Sequence, residues 1–254
     1  MTESMSITLK LGYLVAVLGS AFTFGYNLSI SNQPQDYIVC WIQNTQYNSD
    51  FECQNATELS MAGLFTDATA TWSLCSAVLA IGAAIGSFSA GPIMNTFGRK
   101  VTMIANSILN ITVAIVLALS TSINSIAVFI LFRVLFGLVV GINSSVAPVY
   151  LAEIAPKRLH GAFGTSFQLG VTIGILFADI VGLQWLLGET RWGWAFATSA
   201  VPSVFQILMI SFTPETPAYL LMKGDVNAAN SAAVAFKGRD AVPFSDMADK
   251  VRAG

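Results

Sequence analysis

Long apolar runs divided by short polar breaks set the pattern of this chain. Six such runs occupy residues 9–30, 69–94, 101–120, 126–151, 162–187 and 192–212. A hydrocarbon layer about 30 Å thick takes about 20 apolar residues of helix, so each run predicts one spanning helix. None shows the ten-residue alternation of a barrel strand, and a helix satisfies its own backbone in lipid. The first run could serve as a cleavable leader. Its flank, however, holds only Lys10 against Glu3, and the apolar stretch outruns a leader's core, so a retained first span is expected.

Composition sharpens this picture. Of 254 residues, 54% are apolar and 10% charged, with a net charge of −2; mean hydropathy is +0.66. A soluble domain carries about 25% charge, so water is not the main solvent here. A disordered chain would be far less apolar, and a nucleic-acid partner would require a basic surface. Three Cys and one His leave little for a disulfide scaffold or a structural metal, and no cofactor is expected.

Charge in the short connections orients the spans. Arg99 and Lys100 follow the second span, Lys157 and Arg158 the fourth, and Lys223, Lys237, Arg239, Lys250 and Arg252 the sixth. Residues 32–63 contain no Lys or Arg, and the last connection on that side offers only Arg191. Both termini are therefore expected in the cytosol, with 32–63 an external loop. Asn55-Ala56-Thr57 is a glycosylation sequon in that loop, which agrees; those at Asn27, Asn110 and Asn143 fall inside spans and should be inert. Cys40 and Cys53 share the loop, either as a disulfide or as two thiols, and Cys75 reads as a packing residue.

Inside the spans, Gly82 with Gly86, Gly137 with Gly141 and Gly170 with Gly174 recur at helical spacing and predict close helix contacts. The spans at 1–213 thus form one bundle. Residues 214–254 form a separate tail: Pro214-Glu215-Thr216-Pro217 ends the last span, and 225–236 reads as an Ala-rich amphipathic helix, with a frayed linker as the alternative. Polar groups within lipid are costly and informative. Arg133 and Asp179 sit in the outer halves of the fourth and fifth spans. At about 100° per residue, Gln168, Thr172, Ile175 and Asp179 share one helix face. Either each bonds a neighbouring helix or the stripe lines a water-filled cavity; the second is expected, because an unpaired carboxylate in lipid is prohibitively costly.

Four strings stand out along the chain: FGYNLSISNQPQ at 24–35, GPIMNTFGRK at 91–100, RVLFGLVVGINSSVAPVYLAEIAPKRLHGAFGTSFQLGVTIG at 133–174 and PETPAYLL at 214–221. In this order, each at a predicted membrane boundary, they resemble the N-terminal half of the facilitative sugar transporters of the major facilitator superfamily. The resemblance implies an all-α membrane protein: six transmembrane helices forming half of a two-part bundle, with a short cytosolic helical tail. It implies a hexose, glucose or fructose, as substrate, carried by alternating access in the plasma membrane, and no enzyme activity. By the same resemblance Gln168 would bond sugar hydroxyls, since an amide both donates and accepts without charge. Val171 and Ile175 would pack on the sugar ring, and Phe24, Tyr26 and Asn27 match the first-helix string. Asn27 stands where proton-coupled relatives place Asp, and an amide does not titrate; Asp179 keeps a proton-binding alternative open. The resemblance also implies a cytosolic latch built from Arg99, Lys100, Glu153 and Glu215, biasing a two-state equilibrium.

The chain departs from that pattern at Thr96, His160 and Ala218, each where a basic residue is usual, so either the latch is weaker or Arg158 substitutes in it. Members of the family are about twice this length. Three classes of function follow: half of a hexose uniporter that pairs with a C-terminal half or another subunit, a truncated regulatory form, or an intramembrane hydrolase. The last lacks a nucleophile–base pair.

Overall fold

The computed structural model describes residues 5–238 apart from 48, 50, 62, 64, 184–185 and 188–190. The tail cations Arg239, Lys250 and Arg252 lie outside the described residues. Among those described, six helices are long and apolar enough to cross a membrane. These are α1 (Ile7–Ser29), α4 (Thr66–Phe97), α5 (Arg99–Ile123), α6 (Ile126–Ile154), α7 (Lys157–Val181) and α8 (Trp192–Ile210). Between α1 and α4 stand α2 (Gln35–Tyr47) and α3 (Ala56–Met61), and beyond α8 come α9 (Pro217–Met222) and α10 (Val226–Lys237).

Helix ends follow from their sequences. Gly98, at φ +95°, turns α4 into α5, and a Cβ there would overlap the Glu215 carboxylate. Asp225 caps α10 through its side chain, and Thr216 caps α9 just before Pro217. The fifth span is shorter than expected: it closes at Gly182, whose N–H returns to the Ala178 carbonyl, and does not run to 187.

Two helix pairs form the frame. α4 and α6 meet backbone to backbone, because a Cβ on Gly82, Gly86, Gly137 or Gly141 would collide with a carbonyl of the facing helix. α1 and α7 meet likewise through Gly25 and Gly174. Glycine removes the side-chain cushion, so van der Waals contact extends over the main chains. α6 joins the pairs by touching α1, while α5 and α8 cover the back against α6 and α1. α4 and α7 are the least buried spans and flank the opposite side.

The back is sealed by a polar ladder. Asn27 donates to Asn110 at 2.7 Å, Asn110 to Ser203 at 2.9 Å, Ser107 to Gln206 at 3.0 Å, and Gln206 to Ser20 at 2.6 Å. Asn106 donates to Asn143 at 2.9 Å. Each bond satisfies an amide or hydroxyl that would otherwise be stranded away from water.

α10 is docked rather than frayed. Ser6 donates to the Ala235 and Phe236 carbonyls at 2.8 and 2.9 Å, and Phe236 is buried against Gly12 and Ile154. Both described chain ends thus lie at one end of the bundle, and α2 at the other.

Candidate functional site

The residues singled out from the sequence separate into three places. The first is a flank of α7. Gln168 and Thr172 are exposed, Ile175 and Asp179 half-buried, and the Gln168 amide has no hydrogen-bond partner among the described residues. Phe24 of α1 stacks on Phe167 at 6.3 Å on this side. The other flank of α7 is purely apolar, with Leu169, Leu176, Phe177 and Ile180 exposed. One flank therefore presents amide, hydroxyl and aromatic groups and the other suits lipid.

The structure separates residues that were expected at one site: the stripe lies on the outside of the six-helix unit, whereas the amide ladder lies between α1, α5, α6 and α8. Asn27 is 0% exposed and bonded to Asn110, so it belongs to that ladder and not to the stripe. Val171 is 4% exposed and turned into the α1 contact, where its carbonyl faces Gly25. Tyr26 is buried, with its hydroxyl donating to Ala195 at 2.9 Å and paired with Thr198. Asp179 accepts from Ser29 at 2.6 Å, which ties α7 to the end of α1. Polar side chains in the third and sixth spans, Asn106, Asn110, Ser203 and Gln206, were the available signal for the ladder.

The second place is a charged cluster at the end bearing the termini. Arg99 is 6% exposed and forms the ion pair with Glu153, Nη2 to Oε1 at 2.7 Å and Nε to Oε1 at 3.0 Å. Its guanidinium also lies 5.7 Å from the centre of the Tyr219 ring, whose hydroxyl donates to the Thr96 carbonyl at 3.0 Å. Glu215 accepts from the backbone N–H of Lys100 at 3.1 Å and of Thr216 at 2.9 Å. Burial pushes the Glu215 carboxyl above its usual range, opposed by those N–H groups and by the Arg99 charge. The Lys100 ammonium differs from expectation, since it caps α8 by donating to the Thr213 and Ser211 carbonyls at 2.7 and 3.2 Å. Arg158 and His160 are exposed and take no part. Residue type alone did not distinguish a carboxylate partner from a helix end.

The third place is Arg133, 2% exposed near the α2 end. Its guanidinium sits 5.2, 5.8 and 5.9 Å from the ring centres of Trp72, Phe129 and Phe196. Nη2 donates to Ser31 at 3.4 Å, and Nε and Nη1 have no partner. Above it the Cys40–Cys53 disulfide is formed, which resolves the alternative left by the sequence, and Asn55 is exposed two residues further on.

The six spans have the fold of about half of two solved chains. The xylose transporter XylE from E. coli, in a partially occluded inward-open conformation, superposes with a TM-score of 0.79 at 21% identity, covering 98% of this chain and 57% of that one. The proton:xylose symporter XylE bound to 6-bromo-6-deoxy-D-glucose superposes at 0.73 and 22% identity, over 96% of this chain and 52% of that one. Residues 12–251 match the family described as Sugar (and other) transporter, and the chain belongs to that family. It is thus an integral membrane protein of a transporter family, not of an enzyme family. Facilitated glucose transporter member 5 of Equus caballus is 38% identical over 236 residues, 92% of this chain and 45% of that protein. Its Homo sapiens counterpart is 36% identical over 240 residues, 94% and 46%, and member 7 of Mus musculus is 35% identical over 235 residues, 92% and 44%. The chain spans about half the length of these relatives.

Proposed function

We propose that this chain is the N-terminal half of a hexose carrier working by facilitated diffusion, with glucose or fructose as substrate. The observation that carries this is the Gln168 amide, unpartnered and exposed next to Phe167, on which Phe24 stacks, on the side flanked by the two least buried spans. A sugar ring offers hydroxyls to an amide and C–H faces to an aromatic ring, and a C-terminal half would close the site from across the stripe. Val171 and Asn27 support the site from behind. Asn27 is an amide, which favours downhill movement over proton coupling at that position.

The pairs and caps around Arg99, Glu153, Lys100 and Glu215 would stabilise one of two access states. The charge bias favours a cytosolic side for them and for both termini, with α2 and a glycan on Asn55 on the outer side of the plasma membrane. The test is hexose uptake in transporter-null cells, comparing this chain alone with the chain plus a family C-terminal half. Gln168→Ala in the active pair should weaken hexose binding by about 1–3 kcal/mol, roughly five-fold to more than a hundred-fold in half-saturation; unchanged uptake overturns the role of Gln168.

A further inference from the structure

The connection between α1 and α4 is built as a cap. On α2, Tyr37, Ile38, Val39, Cys40 and Ile42 are buried in one hydrophobic cluster with Trp72, Cys75, Phe129 and Phe196. Two ties join α2 to the segment 51–53 that follows it, where Phe51 packs edge-on against Phe65 at 5.6 Å, and a third joins α2 directly to the spans. Cys40 is bonded to Cys53. The Asn44 amide donates to the Phe51 carbonyl at 2.9 Å and accepts from the Phe51 N–H at 3.1 Å. The Trp41 indole N–H donates to Asn124 at 3.2 Å, and its ring stands edge-on to Phe129 and Trp192 at 5.6 and 5.5 Å. Phe129 is the shared wall, since it also faces the Arg133 guanidinium.

Arg133 gives this cap something to hold back. Two of its N–H-bearing nitrogens are buried without partners, and no carboxylate lies within ion-pair distance among the described residues. Water entering here would satisfy both at once, so hydration of the guanidinium pulls against closure. Aromatic packing opposes that pull, and so does the cross-link, which restricts the opened ensemble.

We infer that the Cys40–Cys53 disulfide locks α2 as a cap that excludes water from Arg133, making this end of the bundle a redox-sensitive seal. A dithiol reductant breaks the S–S bond, each sulfur becomes a thiol, and the reductant leaves as its own disulfide. The cap then opens while the end held by Arg99 and Glu153 stays closed. The inference does not depend on which solute the family member carries.

Cys75 is a native reporter: it is the free buried cysteine of the chain, one turn from Trp72. The experiment measures labelling of Cys75 by a small water-soluble maleimide, on the full chain in detergent without reductant. The double variant C40S/C53S, in which Cys75 is the remaining thiol, should label at least about ten-fold faster than the wild type, the lower end of what releasing such a cross-link allows. A second reporter, Thr102→Cys near Arg99, is 2% exposed in the native residue and should keep its slow rate in the same background. An unchanged Cys75 rate overturns the inference. Equal acceleration at residue 102 also overturns it, because the disulfide would then hold the whole unit. Should the double variant not be recovered, wild-type chain treated with a dithiol, freed of it before the maleimide is added and mapped at residue 75 reads the same rate. Adding Arg133→Met to C40S/C53S should slow labelling again by removing the hydration pull, and an unaltered rate removes Arg133 from the account and overturns that part.

Discussion

Arg99 and Arg133 are both buried arginines at the ends of membrane-spanning helices, and they are held in opposite ways. Arg99 has a carboxylate at 2.7 Å, on a cluster that also ties α4, α5, α6 and α9. Arg133 has three aromatic rings and one hydroxyl. An ion pair can be broken and remade, its two members each hydrated while apart. A cation among rings offers no such exchange, since rings attract it by about 0.5–2 kcal/mol without satisfying its N–H groups. The difference shows which end is built to change partners and which to stay shut.

The largest effect that would sharpen this comparison comes from breaking the ion pair on one side. Glu153→Ala should leave the Arg99 charge buried and uncompensated, costing about 3–5 kcal/mol in detergent unfolding. Arg99→Ala combined with Glu153→Ala should cost less than the sum of the single changes. Additive costs would mean the pair is not coupled. At the other end the expected change is smaller and opposite in sign. Arg133→Met, similar in length and apolar, should leave stability unchanged or raise it by about 1 kcal/mol or more, because it removes two buried nitrogens whose N–H groups are unsatisfied. A loss comparable to Glu153→Ala would break the comparison by showing that the rings bind the charge as firmly as a carboxylate does.

The smallest effect concerns pH at Glu215. Its carboxyl is raised by burial, so protonation is easier in the folded state than in the unfolded one. Relative stability from this group is therefore present below the ordinary carboxylate value and is lost as pH rises through the raised one. Glu215→Gln, which keeps acceptors for Lys100 and Thr216, should flatten the dependence of melting temperature on pH in the weakly acidic range. A slope unchanged by the substitution would assign it to another group.

Much of the frame was legible before the fold was known, because lipid imposes a length on every span and glycine at four-residue spacing marks helix contacts. The ion pair at Arg99 follows from the GRK and YLAE strings. The azimuth of each helix was not legible. Hydropathy records that a residue enters lipid, not which neighbour it meets, so Val171 was expected beside Gln168, and Asn27 in the site by resemblance, although α7 and α1 turn them inward. The glycine at position 25, opposite Val171, held that information. Residues 32–63 read as a loop because α2 is short and of mixed polarity, and its burial depends on Trp41, Phe129 and Trp192 meeting across the fold.

The paired glycines carry one mechanical consequence. Where main chains touch with no side chain between them, as at Gly82, Gly86, Gly137 and Gly141, neither rod can slide past the other without lifting off it. α4 with α6, and α1 with α7, are therefore stiff girders, and any large displacement of this unit is a swing of the whole block about its edge.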